Sequence, residues 1–287
     1  MPAATFGLKA SQQGATIDEA RQIWAVAEEG GFDGCWVFDH LAALGPDRTV
    51  DVFEAWTFMA AMAQATRRMR VGCLVFDNTR RHPGLFAKMA ATVDHISGGR
   101  LDIGLGAGGD ELVDGMLGLP VDRIGKRIDR LSEACRVLKL LWTEMGPSFE
   151  GEHYRLVDAI ANPKPIQRPH PPLWVAGTGE RGLGVVAEHA DVWIGGPWGS
   201  LIDELIRLSA SLDRHCVEIG RDPATIRRAS QVSYSRGEES EVLRVVEANL
   251  TAGFTEIVLL VRSGGWPSPV AASESAAELL PSLRALG

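Results

Sequence analysis

Short apolar runs alternate with segments in which apolar residues return every three or four positions. "TFGL" (5–8) reads as a strand. In 16–31, Ile17, Ala20, Ile23, Trp24 and Ala27 keep helical spacing, with Thr16 placed to cap the start and Gly30-Gly31 the end. The strand "GCWVF" follows, then a helix over 52–66, the strand "MRVGCLVF" (69–76), and a helix that Pro83 opens and Gly98-Gly99 closes. "RLDIGLG" is a fourth strand, and 122–142 a long helix. The rhythm breaks at about 143–172, where "FEGEHYRL" reads as an extended excursion and "NPKPIQRPHPP" as a stiff lead into the next strand. It then resumes: strand 173–176, helix 181–189, strand 191–194, helix 200–219, a weaker strand over 226–233, helix 239–252, strand 256–261 and helix 273–285.

Continuous apolar strands separated by helices imply a parallel sheet covered by helices. Eight strand-then-helix units in about 250 residues predict an α/β protein built as a closed (β/α)8 TIM barrel. It would occupy 1–287 as one domain, with the excursion at about 143–172. An open doubly wound sheet competes, but the strand count and the lack of a linker favour the barrel.

The 45% hydrophobic and 23% charged residues suit an ordinary globular protein. A net charge of −8 argues against general nucleic-acid binding, which needs a basic face. No run of about eighteen apolar residues predicts a membrane span. Cys35, Cys73, Cys135 and Cys216 form no CxxC pair and sit in apolar contexts, which, with no signal-peptide pattern at the start, predicts a reduced, cytoplasmic protein.

The barrel gives "GCWVFDHL" a meaning. Active sites lie at the C-terminal ends of barrel strands, so Asp39 and His40, directly after the second strand, would sit at the mouth. His40 would exchange protons near neutral pH. Asp39 would orient it or accept a hydrogen bond from a ligand ring. The bland alternative is a turn cap beside a surface histidine. A second Asp-His, Asp94-His95, falls at the bottom face and serves as an internal control. No HxH, HExxH or CxxC spacing suggests a metal.

Two turns match GxGxxG. "GLGAGG" (104–109) is not followed by an evident helix start; its glycines would let a ligand ring approach the backbone, or simply make a tight turn. "GTGERG" (177–182) follows a strand and opens a helix, so its backbone N–H groups would hold a phosphate, with Arg181 adding charge. Arg80, Arg81 and His82, after the third strand, read as a local anion site or a solvated loop. Trp24, Trp56 and Trp142 read as core; Trp198 would wall a pocket or line the core.

"WVFDHL", "RRHPGLFAKMAATVDHISGGRLDIGLGAGGDE", "NPKPIQRPHPPLWVAGTGERGL", "HADVW" and "GRDPATIRR" together resemble the bacterial luciferase-like superfamily, and most closely its coenzyme F420-dependent oxidoreductases. The resemblance covers nearly the whole chain. It implies the same barrel, an insertion after the seventh strand or a shorter connection there, a deazaflavin or flavin ring over the mouth, and often a homodimer. It assigns Asp39 to the ring, His40 to proton transfer, and Leu74-Val75 to a bulge with a non-proline cis peptide behind the ring. It assigns Gly106, Ala107 and Gly108 to the ring edge, and Ala176, Gly177, Thr178 and Gly179 to the phosphate. Many members carry a glutamate about five residues after the "GAG" turn, where this chain has Val113, with Asp110, Glu111 and Asp114 nearby. Phe76-Asp77-Asn78 replaces small, hydroxyl-rich residues. The implied activity is F420-dependent hydride transfer to or from a small organic substrate. FMN-dependent monooxygenation and non-catalytic flavin binding are the alternatives.

Overall fold

The computed structural model describes residues 3–10, 12–195, 201–262 and 264–287. The strands are β1 (Thr5–Ala10), β2 (Gly34–Val37), β3 (Arg70–Asp77), β4 (Leu101–Gly106), β5 (Phe149–Glu150), β6 (Arg155–Leu156), β7 (Leu173–Ala176), β8 (Val192–Ile194), β9 (Arg227–Tyr234) and β10 (Glu256–Val261). The helices are α1 (Ile17–Gly30), α2 (Ala55–Ala65), α3 (Pro83–Ser97), α4 (Glu111–Met116), α5 (Ile124–Thr143), α6 (Glu180–His189), α7 (Ile202–Glu218), α8 (Glu239–Thr251) and α9 (Pro269–Arg284). Eight strands close a barrel in the order β1-β10-β9-β8-β7-β4-β3-β2. Their pairs are parallel. The excursion is the antiparallel β5-β6 pair. Only residues 235–238 connect β9 to α8, so the connection after the seventh barrel strand is short.

Local chemistry sets the element ends. Thr16 and Glu19 form a reciprocal capping box at the start of α1, and Gly31 closes that helix at φ 89°, where a side chain would be strained. One expectation fails: "DELVDGMLGLP" does begin a helix, the six-residue α4, with Asp110 as its N-cap residue. Trp24, Trp56 and Trp142 are buried as expected, and Trp193 is buried too. Trp198 lies outside the described residues. The four cysteines are buried and unpaired. Among the described residues no helix is long and apolar enough to cross a membrane.

The barrel interior is layered. At the bottom, Arg70 meets Asp102 at 2.6 Å, and Arg227 pairs with Glu256, which also accepts from the Thr5 hydroxyl. Above them Trp36 and Trp174 pack with centroids 4.5 Å apart, among Leu74, Val192, Ile194, Ala229 and Val258. Trp36 fits only because Gly7 and Gly72 face it: a Cβ at those positions would lie 2.6 and 2.3 Å from the indole. This apolar layer fills the barrel beneath the mouth.

Candidate active site at the barrel mouth

The chain leaves β2 at Val37, and Gln12 holds the segment beyond it. Its side chain accepts from the Phe38 N–H at 3.0 Å and donates to the Phe38 and Phe53 carbonyls, both at 2.8 Å. A buried amide thus satisfies backbone groups that no longer have a strand partner. Asp39 comes next with a fully buried carboxylate that takes two bonds from Arg81, at 2.7 and 2.9 Å, and one from the Asp77 N–H at 3.0 Å. That burial favours a supporting role: Asp39 ties the end of β2 to the end of β3. It does not orient His40.

His40 is oriented from elsewhere. Its Nδ1 lies 3.5 Å from Asp110 Oδ2, and its side chain is 34% exposed. Burial pulls its pKa below the ordinary histidine value; Asp110 opposes that, while Arg80 and Lys9 reinforce it. The ring is therefore neutral near pH 7 and can accept a proton. Arg48 approaches Asp110 at 3.9 Å. Of the other acids near the turn, Glu111 pairs with Arg127 at 3.1 Å, Asp114 with Arg80 at 2.9 Å, and Val113 is buried.

The anion site expected from Arg80, Arg81 and His82 does not form. Arg80 is enclosed by Asp77, Asp114 and the Asp39 carbonyl, and Arg81 by Asp39 and Glu54. His82 caps α3 by accepting from the Gly84 N–H. The charges of Arg80 and Arg81 are already neutralised, by Asp77 nearby and by acids distant in sequence. Arg181 likewise turns away to Asp129 on α5.

β3 breaks register between Cys73 and Phe76, and the Leu74-Val75 peptide within this bulge is cis, as the resemblance implied. The glycines of "GLGAGG" serve this bulge. A Cβ at Gly104 would strike the Cys73 carbonyl at 2.0 Å, one at Gly106 the Val75 side chain at 2.8 Å, and one at Gly108 the Asp77 carboxylate at 2.2 Å. Protein atoms, rather than a ligand, already occupy the space these glycines open. At the second turn, Gly179 is the N-cap of α6 with no side chain capping the helix, so the turn still offers N–H donors. Gly177, however, packs on the Gly182 backbone: a Cβ would come within 2.8 Å. Replacing it therefore disturbs strand–helix packing before any ligand is involved. Outside the turn, a groove of about 440 Å³ runs between α6 and α7, lined by Thr178, Gly179, Glu180, Arg207, Ser211 and Arg214 among others.

The luciferase-like monooxygenase family signature matches residues 3–279. The chain belongs to the luciferase-like family. It is 34% identical over 177 residues to an F420-dependent glucose-6-phosphate dehydrogenase from Kineococcus radiotolerans, covering 61% of this chain and 51% of that enzyme. It is 27% identical over 260 residues to an FMNH2-dependent dimethylsulfone monooxygenase from Pseudomonas putida, covering 88% and 69%. Its match to uncharacterised mycobacterial relatives, at 35% identity, spans 58% of their length. An F420-dependent secondary alcohol dehydrogenase, solved with an F420-acetone adduct, superposes with a TM-score of 0.86 over 98% of this chain and 99% of that one, at 20% identity; this shows the shared fold.

Family membership makes a flavin-type ring the group to test against the mouth. Val75, Ala176 and Leu260 are half-buried apolar residues at the tops of β3, β7 and β10, suited to a flat ring face. Beside them stand Lys9, Gln231 and Ser233, whose buried hydroxyl has no hydrogen-bond partner. An apolar surface with a polar margin and an orphaned hydroxyl fits such a ring. Lys9, Gln231 and Gln12 were missed from sequence. Lys9 directly follows "TFGL" and resembles the solvated end of a strand; only closure of the barrel turns it inward.

Proposed function

We propose that this luciferase-like oxidoreductase uses coenzyme F420 to move hydride to or from a small organic substrate, with His40 handling the accompanying proton. The observation that carries this reading is His40 itself: half-buried at the barrel mouth, neutral near pH 7, and flanked by Asp110. Proton-coupled hydride transfer needs a group of this kind; the similarity to F420-dependent enzymes supports the choice of cofactor. Bound at the mouth, F420 would supply hydride chemistry at its ring carbon C5. Val75, Ala176 and Leu260 would seat the ring. The N–H groups of 177–179 would hold the phosphate. Asp39, through Arg81 and Asp77, would keep the floor rigid. His40 Nε2 would accept a proton from a substrate hydroxyl or return one to a carbonyl oxygen, while Asp110 fixes the imidazole through Nδ1. An acidic tail would leave past Arg207 and Arg214. A homodimer in the cytoplasm completes the proposal.

The test is a titration of the purified protein with reduced F420 and with reduced FMN, followed by fluorescence. Tighter F420 binding supports the proposal. Micromolar FMN binding without measurable F420 binding replaces it with an FMN-dependent monooxygenase, the second reading, which the Pseudomonas relative favours through its longer match.

A further inference from the structure

Lys9 lies at the top of β1, 7% exposed, with its ammonium donating to the Leu74 carbonyl at 2.7 Å and to Gln231 Oε1 at 2.9 Å. Both acceptors are neutral. The other buried cations near the mouth are paired: Arg80 with Asp77 and Asp114, Arg81 with Asp39 and Glu54, Arg127 with Glu111. Among the described residues no carboxylate comes within ion-pair distance of Lys9. The titratable groups facing it are His40 after β2 and Cys73 on β3; β9 offers Gln231, and β10 pairs Leu260 with Lys9 in register. Burial lowers the Lys9 pKa to about 8, so the amine remains mostly charged at pH 7. A desolvated charge without a counter-ion is costly, and proteins rarely keep one. The missing negative charge is best supplied by what enters the mouth.

Hydride addition to an oxidised flavin or deazaflavin ring brings one proton and two electrons, so the ring gains one negative charge unless it takes up a second proton. That charge spreads over the pyrimidine edge. We propose that Lys9 is the counter-charge for this edge, so that the protein holds the reduced, anionic ring more tightly than the oxidised one. This rests on the reading of the mouth as a ring site. It adds that the chain itself biases the cofactor toward its reduced state. Gln231 holds the ammonium in place without neutralising it.

The experiment measures dissociation constants for oxidised F420 and borohydride-reduced F420 anaerobically, on the wild type, Lys9→Met and Gln231→Glu. FMN and dithionite-reduced FMN provide a parallel series. The wild type should favour the reduced ring about tenfold at pH 7, equivalent to about 30 mV for a two-electron couple. Lys9→Met should lose that preference while binding oxidised ring within about threefold of wild type. Gln231→Glu, which gives Lys9 an internal partner, should lose it with the lysine still present. In the wild type the preference should fade above pH 8, and in Lys9→Met it should not depend on pH there. A folded Lys9→Met that keeps the wild-type ratio, or that loses both oxidation states equally, overturns the assignment to Lys9 alone. Should Lys9→Met fail to fold, an undiminished preference in Gln231→Glu, or one that stays flat through pH 8 in the wild type, does the same. A well-folded wild type that binds neither ring overturns the ring site itself.

Discussion

The chain contains the dipeptide Asp-His twice, once at each end of the barrel. At the bottom, Asp94 is fully buried and accepts from the Ile166 and Gln167 N–H groups at 2.6 and 3.0 Å and from the Gln167 amide at 2.7 Å. At the mouth, Asp39 is just as buried and binds Arg81 and the Asp77 N–H. The two aspartates do the same work: each joins its own segment to one far along the chain. The histidines part company. His95 is exposed and meets the Lys164 carbonyl at 2.9 Å, whereas His40 faces a carboxylate inside a half-closed mouth. The surroundings of the histidine are thus set by where the barrel puts it, and the aspartate is a strut in either place.

The largest effects should therefore fall on the aspartates and be alike. Asp39→Ala removes two of the three bonds Arg81 makes to carboxylates and strands the Asp77 N–H, and Asp94→Ala strands two backbone N–H groups, so each should cost about 3 kcal/mol or more, a drop of roughly 10 °C in melting temperature. A variant that melts like wild type would show that its aspartate is no strut. The next effect should separate the histidines. His40→Ala should slow single-turnover reoxidation of reduced F420, tested against a panel of ketones and aldehydes, by about 100-fold or more, with His95→Ala within about twofold of wild type. Equal rates for the two variants would remove His40 from the mechanism.

A smaller change should appear at Asp110. Because Asp110 raises a His40 pKa that burial has lowered, Asp110→Asn should lower it further. In the direction where His40 must accept a proton, the rate falls as pH drops through that pKa, so the acid limb should move to lower pH. The limb should move to lower pH with a smaller rate loss than that of His40→Ala; an unmoved limb would leave Asp110 a bystander. The smallest effect distinguishes the two faces by charge. Arg214→Ala should weaken F420 binding about threefold in dilute buffer and hardly at all at high salt, as expected of an exposed ionic contact; a loss that salt does not change would place the acidic tail elsewhere.

The strand-helix alternation was legible because each element carries its own period and its own stops, as Thr16 and Gly31 show for α1. α4 was not, since six residues including Gly115 are too few to display a period. The position of His40 was legible because it follows a strand end, whereas contacts that depend on closure were not. Arg80 and Arg81 read as open charge because, Asp77 apart, their acidic partners Asp39, Glu54 and Asp114 lie 42, 27 and 34 residues away. The glycine turns were visible as turns, but what fills the space beside Gly108 or Gly177 is another element, which no local pattern announces.

The indole of Trp36 occupies the very space that Gly7 and Gly72, on the two neighbouring strands, leave vacant. In evolutionary terms these three positions form one inherited unit. A descendant that acquires alanine at either glycine keeps its fold only if residue 36 has already become smaller. A descendant that shrinks residue 36 first opens a cavity beneath the mouth, at a cost of roughly 3 kcal/mol or more for an indole. Lineages of this barrel should therefore vary the three residues together or not at all.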